Sequence, residues 1–232
     1  MKFEEPPIIC AAASVVGQKE GDGPFGDVFD QIESDPKVGG DTWEDAEGRL
    51  QERAAELAIQ KAGCGKEAIR YIVAGDLLGQ LMASSFGLAG FDKPLFGVYG
   101  ACSTMGESIG IGSMLVEGGF ADYVLAMTSS HFASAEKQFR FPLGYANQRP
   151  KASTWTVTGS GAVVICKGDQ KQGMAKITGI TTGKIVDYGV KDTMNMGACM
   201  APAAASVVAA HFKDFGTDPS EYDQIITGDL GM

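Results

Sequence analysis

Residues 66–77 read KEAIRYIVAGDL, and residues 219–230 read PSEYDQIITGDL. Each stretch has an acidic turn, a run of strand-forming residues and a Gly-Asp-Leu corner, and each follows an alanine-rich segment with helical periodicity. Asp229 lies 153 residues (229 − 76) after Asp76. Solenoid repeats run about 20–50 residues, so this longer period indicates a duplicated α/β half. A chance match between common residue types is the alternative.

Strand-like and helix-like segments alternate around the first copy of this repeat. Apolar runs at residues 8–13, 69–76 and 95–99 predict buried strands. The helical pattern of residues 42–62 begins at a capping threonine and is followed by Gly63 as a stop signal. Alternation of this kind is typical of an α/β fold with a mostly parallel sheet and helices on both faces.

The chain length fits this duplication only in part. Doubling a half of about 165 residues would give roughly 330, whereas the chain has 232. We therefore expect an N-terminal half at residues 1–170 and the start of a second, incomplete half at residues 171–232. On this interpretation about 100 residues are missing after Met232.

Composition excludes several classes of protein. Apolar residues make up 44% of the chain and the net charge is −10, which excludes intrinsic disorder and argues against nucleic-acid binding. No apolar stretch reaches the roughly 18 residues of a membrane span, and residues 1–7, MKFEEPP, do not resemble a secretory signal. The five cysteines form no C-x-x-C pair, and neither histidine has metal-ligand spacing. The sequence predicts free thiols, no metal site and no cofactor.

The segment 95–108, LFGVYGACSTMGES, predicts a strand, a tight elbow and a helix, with Cys102 at the elbow. A thiol at a helix N-terminus lies near free N–H groups that favour the thiolate form. The alternative is a small buried hydrophobe, which is what most free cysteines are. The α/β-hydrolase elbow G-x-S-x-G is a poorer match, because Thr104 replaces its second glycine.

These motifs resemble those of the thiolase superfamily, and more narrowly those of the stage V sporulation protein AD family of spore-forming bacteria. The resemblance covers essentially the whole chain. The matching segments are residues 100–104 (GACST), 128–132 (TSSHF), 135–142 (AEKQFRFP), 148–150 (QRP), 156–165 (TVTGSGAVVI) and 196–205 (MGACMAPAAA).

The resemblance implies a thiolase-like fold and non-catalytic binding of dipicolinic acid (pyridine-2,6-dicarboxylate). It implies a role in the uptake of this compound into the developing spore and in its release on germination. Its implied partners are dipicolinic acid, also as the calcium chelate, and membrane proteins of the same sporulation operon. The implied location is the forespore or spore, peripherally on the inner membrane. It also implies a homodimer paired through an edge strand of the first half, with a monomer as the alternative.

Two other functions remain open. Condensing enzymes of this superfamily use a nucleophilic cysteine activated by His or Asn groups, so the first alternative is an acyltransferase or condensing enzyme with Cys102 as nucleophile. Against it, the Gly228-Asp229-Leu230 corner has no histidine, and His131 is a remote candidate for the base. The second alternative is a purely structural partner for membrane channel proteins.

An aromatic dianion on an acidic protein needs local positive potential. One predicted source is the helix N-terminus at Cys102 and Ser103. The other is the segment 136–151, which includes Arg140 and has several further cations and aromatic residues; a solvated loop or a dimer-edge hairpin is the alternative. Asp76 and Asp229 either cap their turns or help to hold calcium. The predicted ligand-binding site comprises Cys102, Ser103, Asp76, Asp229, His131 and Arg140.

Overall fold

The computed structural model describes residues 1–140, 155–168, 173–192, 195–228 and 230. Two compact units make up the chain. The larger unit comprises Glu5–Ile177, and the smaller comprises Met1–Glu4 with Thr178–Met232. In the part of the chain that the structure describes, no helix has the length and apolar character needed to cross a bilayer.

One sheet forms the centre of the larger unit, with the strand order β2-β1-β6-β5-β3-β4 and with β7 beside β1. Its described strands are β1 (Ile8–Gly17), β2 (Gln31–Glu33), β3 (Tyr71–Gly75), β4 (Leu95–Gly97), β5 (Tyr123–Ser130), β6 (Gly159–Cys166) and β7 (Ala175–Lys176).

The sheet is mixed, which corrects the expectation of a mostly parallel one. Strand β3 is parallel to β4 and β5, and β1 is parallel to β2. Strand β6 is antiparallel to both of its neighbours, β1 and β5, and β7 is antiparallel to β1. The reason lies in the connection before β6. Ser130 at the end of β5 pairs with Gly159 at the start of β6. Strand β6 therefore starts beside the end of β5 and runs in the opposite direction.

Helices cover both faces of this sheet, as the sequence predicted. The described helices are α1 (Gln18–Gly21), α2 (Trp43–Ala62), α3 (Met82–Gly87), α4 (Thr104–Glu117), α5 (Phe132–Ala135) and, in the smaller unit, α6 (Met196–Phe215), and a π-helical turn (Glu136–Arg140) follows α5.

Alternation along β6 shows how the two helical layers are separated. Ala162 and Val164 belong to the core cluster that contains the apolar face of α2. Val163 and Ile165 belong to the cluster on the opposite face, against which α4 packs. Successive side chains of a strand point to opposite faces, so one strand supplies both cores. At Gly112 of α4, an added Cβ would lie 3.0 Å from Ile165 Cδ1, and the missing side chain therefore allows this close approach.

The predicted capping of α2 is confirmed. Thr42 Oγ1 accepts a hydrogen bond from the backbone N–H of Asp45 at 3.1 Å. Gly63 ends the helix with φ of 58°, a left-handed conformation that glycine adopts without the steric cost of a Cβ.

The second copy of the repeat has the same local structure 153 residues later. Helix α6 begins at Met196 and ends at Phe215, as α2 begins at Trp43 and ends at Ala62. Asn195 caps α6 by accepting from Ala198 N–H at 3.1 Å, and Gly216 ends it with φ of 64°. A 3₁₀ turn follows each helix at the matching place, Lys66–Ala68 in the first copy and Pro219–Glu221 in the second.

The strand predicted at residues 224–227 is not formed. Residues 71–75 of the first copy form β3, whereas residues 222–228 have no regular secondary structure. A strand is stabilised by hydrogen bonds to a neighbouring strand, and no described residue forms a ladder with this segment. The apolar pattern alone therefore did not produce a strand.

Candidate functional site

The elbow at Cys102 connects strand β4 to helix α4. Residues 101–103 form a single 3₁₀ turn, and α4 starts at Thr104. Ala101 has φ of 50°, a left-handed conformation that is strained by about 1–2 kcal/mol for a residue with a Cβ. Cys102 is exposed. The predicted strand-elbow-helix arrangement is confirmed, and the alternative of a buried cysteine is wrong.

The N-terminus of α4 carries both attractive and repulsive groups for an anion. Ser103 at the N-cap makes no side-chain capping bond. The N–H groups of Ser103 and Thr104 donate to Gly100 O and Ala101 O within the elbow, so the attraction for an anion comes from the positive end of the helix dipole. Ser103 Oγ lies 2.8 Å from Gly100 O and also contacts the Glu107 carboxylate. Glu107 brings a negative charge to the same helix end, where it competes with any bound anion.

The corner at Gly75 and Asp76 lies directly behind this elbow. A Cβ at Gly75 would be 1.9 Å from Val98 O and 2.7 Å from Thr104 Cγ2. No side chain fits in that space, so glycine is required where the end of β3 meets the elbow. The sequence prediction that both motifs belong to one site is consistent with this contact.

Asp76 caps its turn, and its carboxylate is not free to bind a ligand. It is 1% exposed. Its Oδ1 accepts from Leu78 N at 2.8 Å, and its Oδ2 accepts from Ser84 N at 2.7 Å and Ser84 Oγ at 2.6 Å. These bonds fix the loop between β3 and α3. The geometry favours the turn-capping interpretation over direct contact with a ligand or calcium ion.

The loop that Asp76 holds contains two consecutive strained residues. Gln80 has φ of 60° and Leu81 has φ of 53°. With Ala101, three residues in left-handed conformations lie on the two loops that meet at the end of β3. Strain of this kind is commonly stored at binding and catalytic sites, and it supports this edge of the sheet as the candidate site.

His131 is buried and serves as a cap, which argues against its predicted roles in ligand binding and as a base. Its Nδ1 accepts from Ala133 N at 3.1 Å, so its proton is on Nε2, which donates to Pro36 O at 2.8 Å. Burial lowers the pKa of His131 and keeps the ring neutral, although the bond to Pro36 and nearby carboxylates oppose this.

A buried polar cluster beside the Asp76 loop was not predicted. Glu47 of α2 accepts from Ser129 Oγ at 2.8 Å and from Ser134 Oγ at 2.7 Å. Gln51 Nε2 donates to Ser129 Oγ at 2.7 Å and to Ser84 Oγ at 2.9 Å. The sequence signal was the spacing of Glu47 and Gln51, which are four residues apart and lie on the face of α2 that packs on the sheet.

Desolvation dominates the electrostatics of this cluster. It raises the pKa of Glu47 from 4.5 to about 7. Hydrogen bonds from the two serine hydroxyls lower the pKa, because they favour the charged form, but their effect is smaller. The negative charge of Asp76 adds to the increase. Glu47 therefore changes its charge near neutral pH inside the core of the larger unit.

Two predicted site residues are not described. Asp229 lies outside the described residues, and so does the side chain of Arg140, whose backbone belongs to the π-helical turn. Most of the predicted cationic segment is also outside them. Lys137, which is described, forms an ion pair with Glu44 at 2.6 Å and lowers the pKa of that carboxyl.

Comparison of the sequence with protein families gives one match over its whole length. The family model described as Stage V sporulation protein AD (SpoVAD) matches residues 1–232. Stage V sporulation protein AD of Bacillus subtilis (strain 168) is 44% identical over 228 residues, which are 98% of this chain and 67% of that protein.

Solved structures with a similar fold include OleA and a 3-oxoacyl-(acyl carrier protein) synthase III. Cerulenin-bound OleA of Xanthomonas campestris has a TM-score of 0.67 at 16% identity, over 97% of this chain and 76% of that one. The 3-oxoacyl-(acyl carrier protein) synthase III, FabH, of Xanthomonas oryzae pv. oryzae has a TM-score of 0.60 at 19% identity, over 97% and 77%. The chain has a thiolase-like fold and belongs to the stage V sporulation protein AD family.

Proposed function

We propose that this protein acts in sporulation by binding dipicolinic acid without converting it, at the Cys102 elbow. Binding serves uptake of the compound into the developing spore and its release on germination. The sporulation role is supported by membership of a family named for that process. A binding protein is preferred over an enzyme because the ring nitrogens of both histidines have hydrogen-bond partners.

The sequence has two histidines, and both have their ring nitrogens occupied. In the larger unit, His131 bonds to Pro36 and Ala133. In the smaller unit, His211 Nδ1 lies 2.8 Å from Thr181 Oγ1 and its Nε2 lies 2.7 Å from Tyr222 Oη. A general base needs a free ring nitrogen within reach of the nucleophile. This observation carries the proposal of a non-catalytic site.

The elbow is accessible to a carboxylate ligand and partly suits its charge. The Cys102 thiol is exposed beside the N-terminus of α4, and the positive end of the helix dipole attracts a carboxylate. Glu107 weakens this attraction. We therefore expect moderate affinity, which suits a protein that must also release its ligand.

Calorimetric titration with dipicolinate tests the proposal. Cys102→Ser keeps the size of the side chain and should retain binding, whereas Cys102→Tyr fills the site and should abolish it. Glu107→Gln removes the competing charge and should tighten binding by about threefold. Cys199→Tyr, at the exposed cysteine of the smaller unit, is the matched control and should bind normally. Absence of saturable heat with the unaltered protein contradicts the proposal.

The acyltransferase alternative is favoured by one observation, an exposed cysteine on a strained turn at a helix N-terminus. Incubation with acyl-coenzyme A followed by intact-protein mass spectrometry separates the two functions. A stable acyl adduct that is lost in Cys102→Ser supports the enzyme. An unchanged mass, with calorimetric binding of dipicolinate, supports the binding protein.

The proposal includes peripheral attachment to the spore inner membrane through membrane proteins of the same operon. Fractionation of spores from a strain that lacks those membrane proteins tests it. The protein should move from the inner-membrane fraction to the soluble fraction, and continued membrane association in that strain contradicts this part.

A further inference from the structure

Both tryptophans of the chain line one cavity of the larger unit. The cavity has a volume of about 440 Å³ and lies between helix α1, the start of α2 and the segment around α5. Trp43, Trp155, Phe132 and His131 supply its aromatic walls, and Lys19 and Glu20 contribute charged groups. Its volume is in the range of small-molecule sites, and none of the elbow residues lines it. We call it the tryptophan cavity.

Ring faces in this cavity already attract ammonium groups. Trp155 stacks on Phe132 with ring centroids 4.0 Å apart. The Nζ of the exposed Lys19 lies over the Trp155 ring, 4.0 Å from its centroid. Lys37 Nζ lies 5.4 Å from the centroid of Trp43. Cations bind aromatic faces through the ring quadrupole, most strongly at tryptophan.

Glu20, a residue of the cavity wall, has one carboxylate oxygen that lacks a partner in the described part of the chain. Glu20 Oε1 accepts from Thr158 N at 3.2 Å. Its other oxygen, Oε2, is buried and has no hydrogen-bond partner in the described part of the chain. A buried anionic oxygen without a donor is unfavourable. The second carboxylate of the wall, Glu33, pairs with Arg53, so among the described wall carboxylates Glu20 is the one available to pair with a cationic ligand.

We propose that the tryptophan cavity binds an organic cation, a primary ammonium or guanidinium group on an apolar body. The cationic group pairs with the Glu20 carboxylate and lies against Trp155, and the apolar body contacts the remaining rings. On binding it displaces the Lys19 ammonium, which is exposed and free to move into solvent. The ligand has the opposite charge to the dipicolinate proposed for the elbow, so the two sites are chemically distinct.

Tryptophan fluorescence measures this site directly, because the chain has two tryptophans and both line the cavity. The probes are benzylammonium, benzyl alcohol and benzoate, which share a ring and differ in charge. Benzylammonium should change the emission saturably, with a dissociation constant at least about tenfold below those of the other two. Equal responses to the three probes, or no saturation with benzylammonium, overturn the proposal.

Two neighbouring variants should act in opposite directions. Glu20→Gln removes the charge and should weaken benzylammonium binding about tenfold. Lys19→Met removes the competing ammonium and should strengthen it severalfold. Asp22→Asn removes a carboxylate from the same short helix end but outside the cavity wall, and should leave affinity unchanged. Circular dichroism checks the fold of each variant. A folded Glu20→Gln protein with unchanged affinity, or equal losses in Glu20→Gln and Asp22→Asn, overturns the proposal.

Discussion

Helices α2 and α6 are the two copies of one repeated element, yet they differ in burial. Each has 20 residues, an N-cap side chain that accepts from the third residue of the helix, and a left-handed glycine after its last turn. Ten residues of α2 are buried. None of the described residues of α6 is buried to that degree. After α2 the chain forms strand β3, whereas after α6 the matching segment forms none.

This difference separates local from non-local determinants of structure. Caps, helix length and the following 3₁₀ turn are encoded within each copy, because their hydrogen bonds join residues a few positions apart. Burial and strand formation depend on partners elsewhere in the sequence. The second copy therefore has the local structure of the repeat without the packing that the first copy obtains from the sheet.

The largest expected effect comes from placing a charge on each helix at matching positions. Ala54 of α2 is 0% exposed, and the matching Val207 of α6 is half-buried. Ala54→Arg should destabilise the larger unit by at least about 3 kcal/mol, because the guanidinium is buried without a partner. Val207→Arg should cost less than about 1 kcal/mol. Hydrogen exchange with mass spectrometry reads each helix separately. Similar losses of protection in both helices contradict the difference in burial.

The second prediction concerns Glu47, whose counterpart in α6 is Met200. Its pKa is 4.5 in an ordinary environment and about 7 in the folded protein, so the folded state binds more protons between these values. The free energy of unfolding should therefore fall as pH rises through this window, by up to about 3 kcal/mol. Glu47→Gln should remove that fall in urea unfolding followed by tryptophan fluorescence. The matched control, exposed Glu52→Gln, should keep it, and an unchanged pH profile in Glu47→Gln contradicts the prediction.

The smallest expected effect should be equal in the two copies. Thr42→Ala and Asn195→Ala each remove one N-cap acceptor and should each cost about 1 kcal/mol. The loss should appear as faster exchange of the first helical turn. Thr42→Ser and Asn195→Asp retain an acceptor and should show little change. An effect confined to Thr42 would show that capping depends on burial after all.

The sequence predicted those parts of the fold that depend on short-range patterns. The bounds of α2, its caps and the strand-elbow-helix around Cys102 follow from periodicity, from Thr42 and from glycine positions. The direction of β6 was not predicted, because nothing within residues 159–166 specifies the orientation of its neighbours. The unformed strand at 224–227 has the same explanation, since an apolar run forms a strand only when another strand pairs with it.

For the candidate site, residue types were predicted better than their roles. Cys102 is exposed at the elbow as expected for a site residue. Asp76 and His131 are near strand ends as predicted, but both are buried and their side chains accept hydrogen bonds from backbone N–H groups. Whether a polar group is buried depends on packing between distant segments. Ser84, Ser129 and Ser134 are far from Glu47 in the sequence and join its cluster only in the folded chain. Those contacts leave little trace in the local sequence.

The central position of β6 has a consequence for biosynthesis. Strand β1, the apolar residues 8–17, leaves the ribosome early, but its full-length partner β6 begins at Gly159. Until then the short β2 is the earlier partner available to β1. Non-local pairing of this kind is slow and exposes unpaired strand edges. A nascent chain therefore carries an apolar strand without its main neighbour during most of the synthesis of the larger unit, and we expect the nascent chain to be a client of ribosome-associated chaperones.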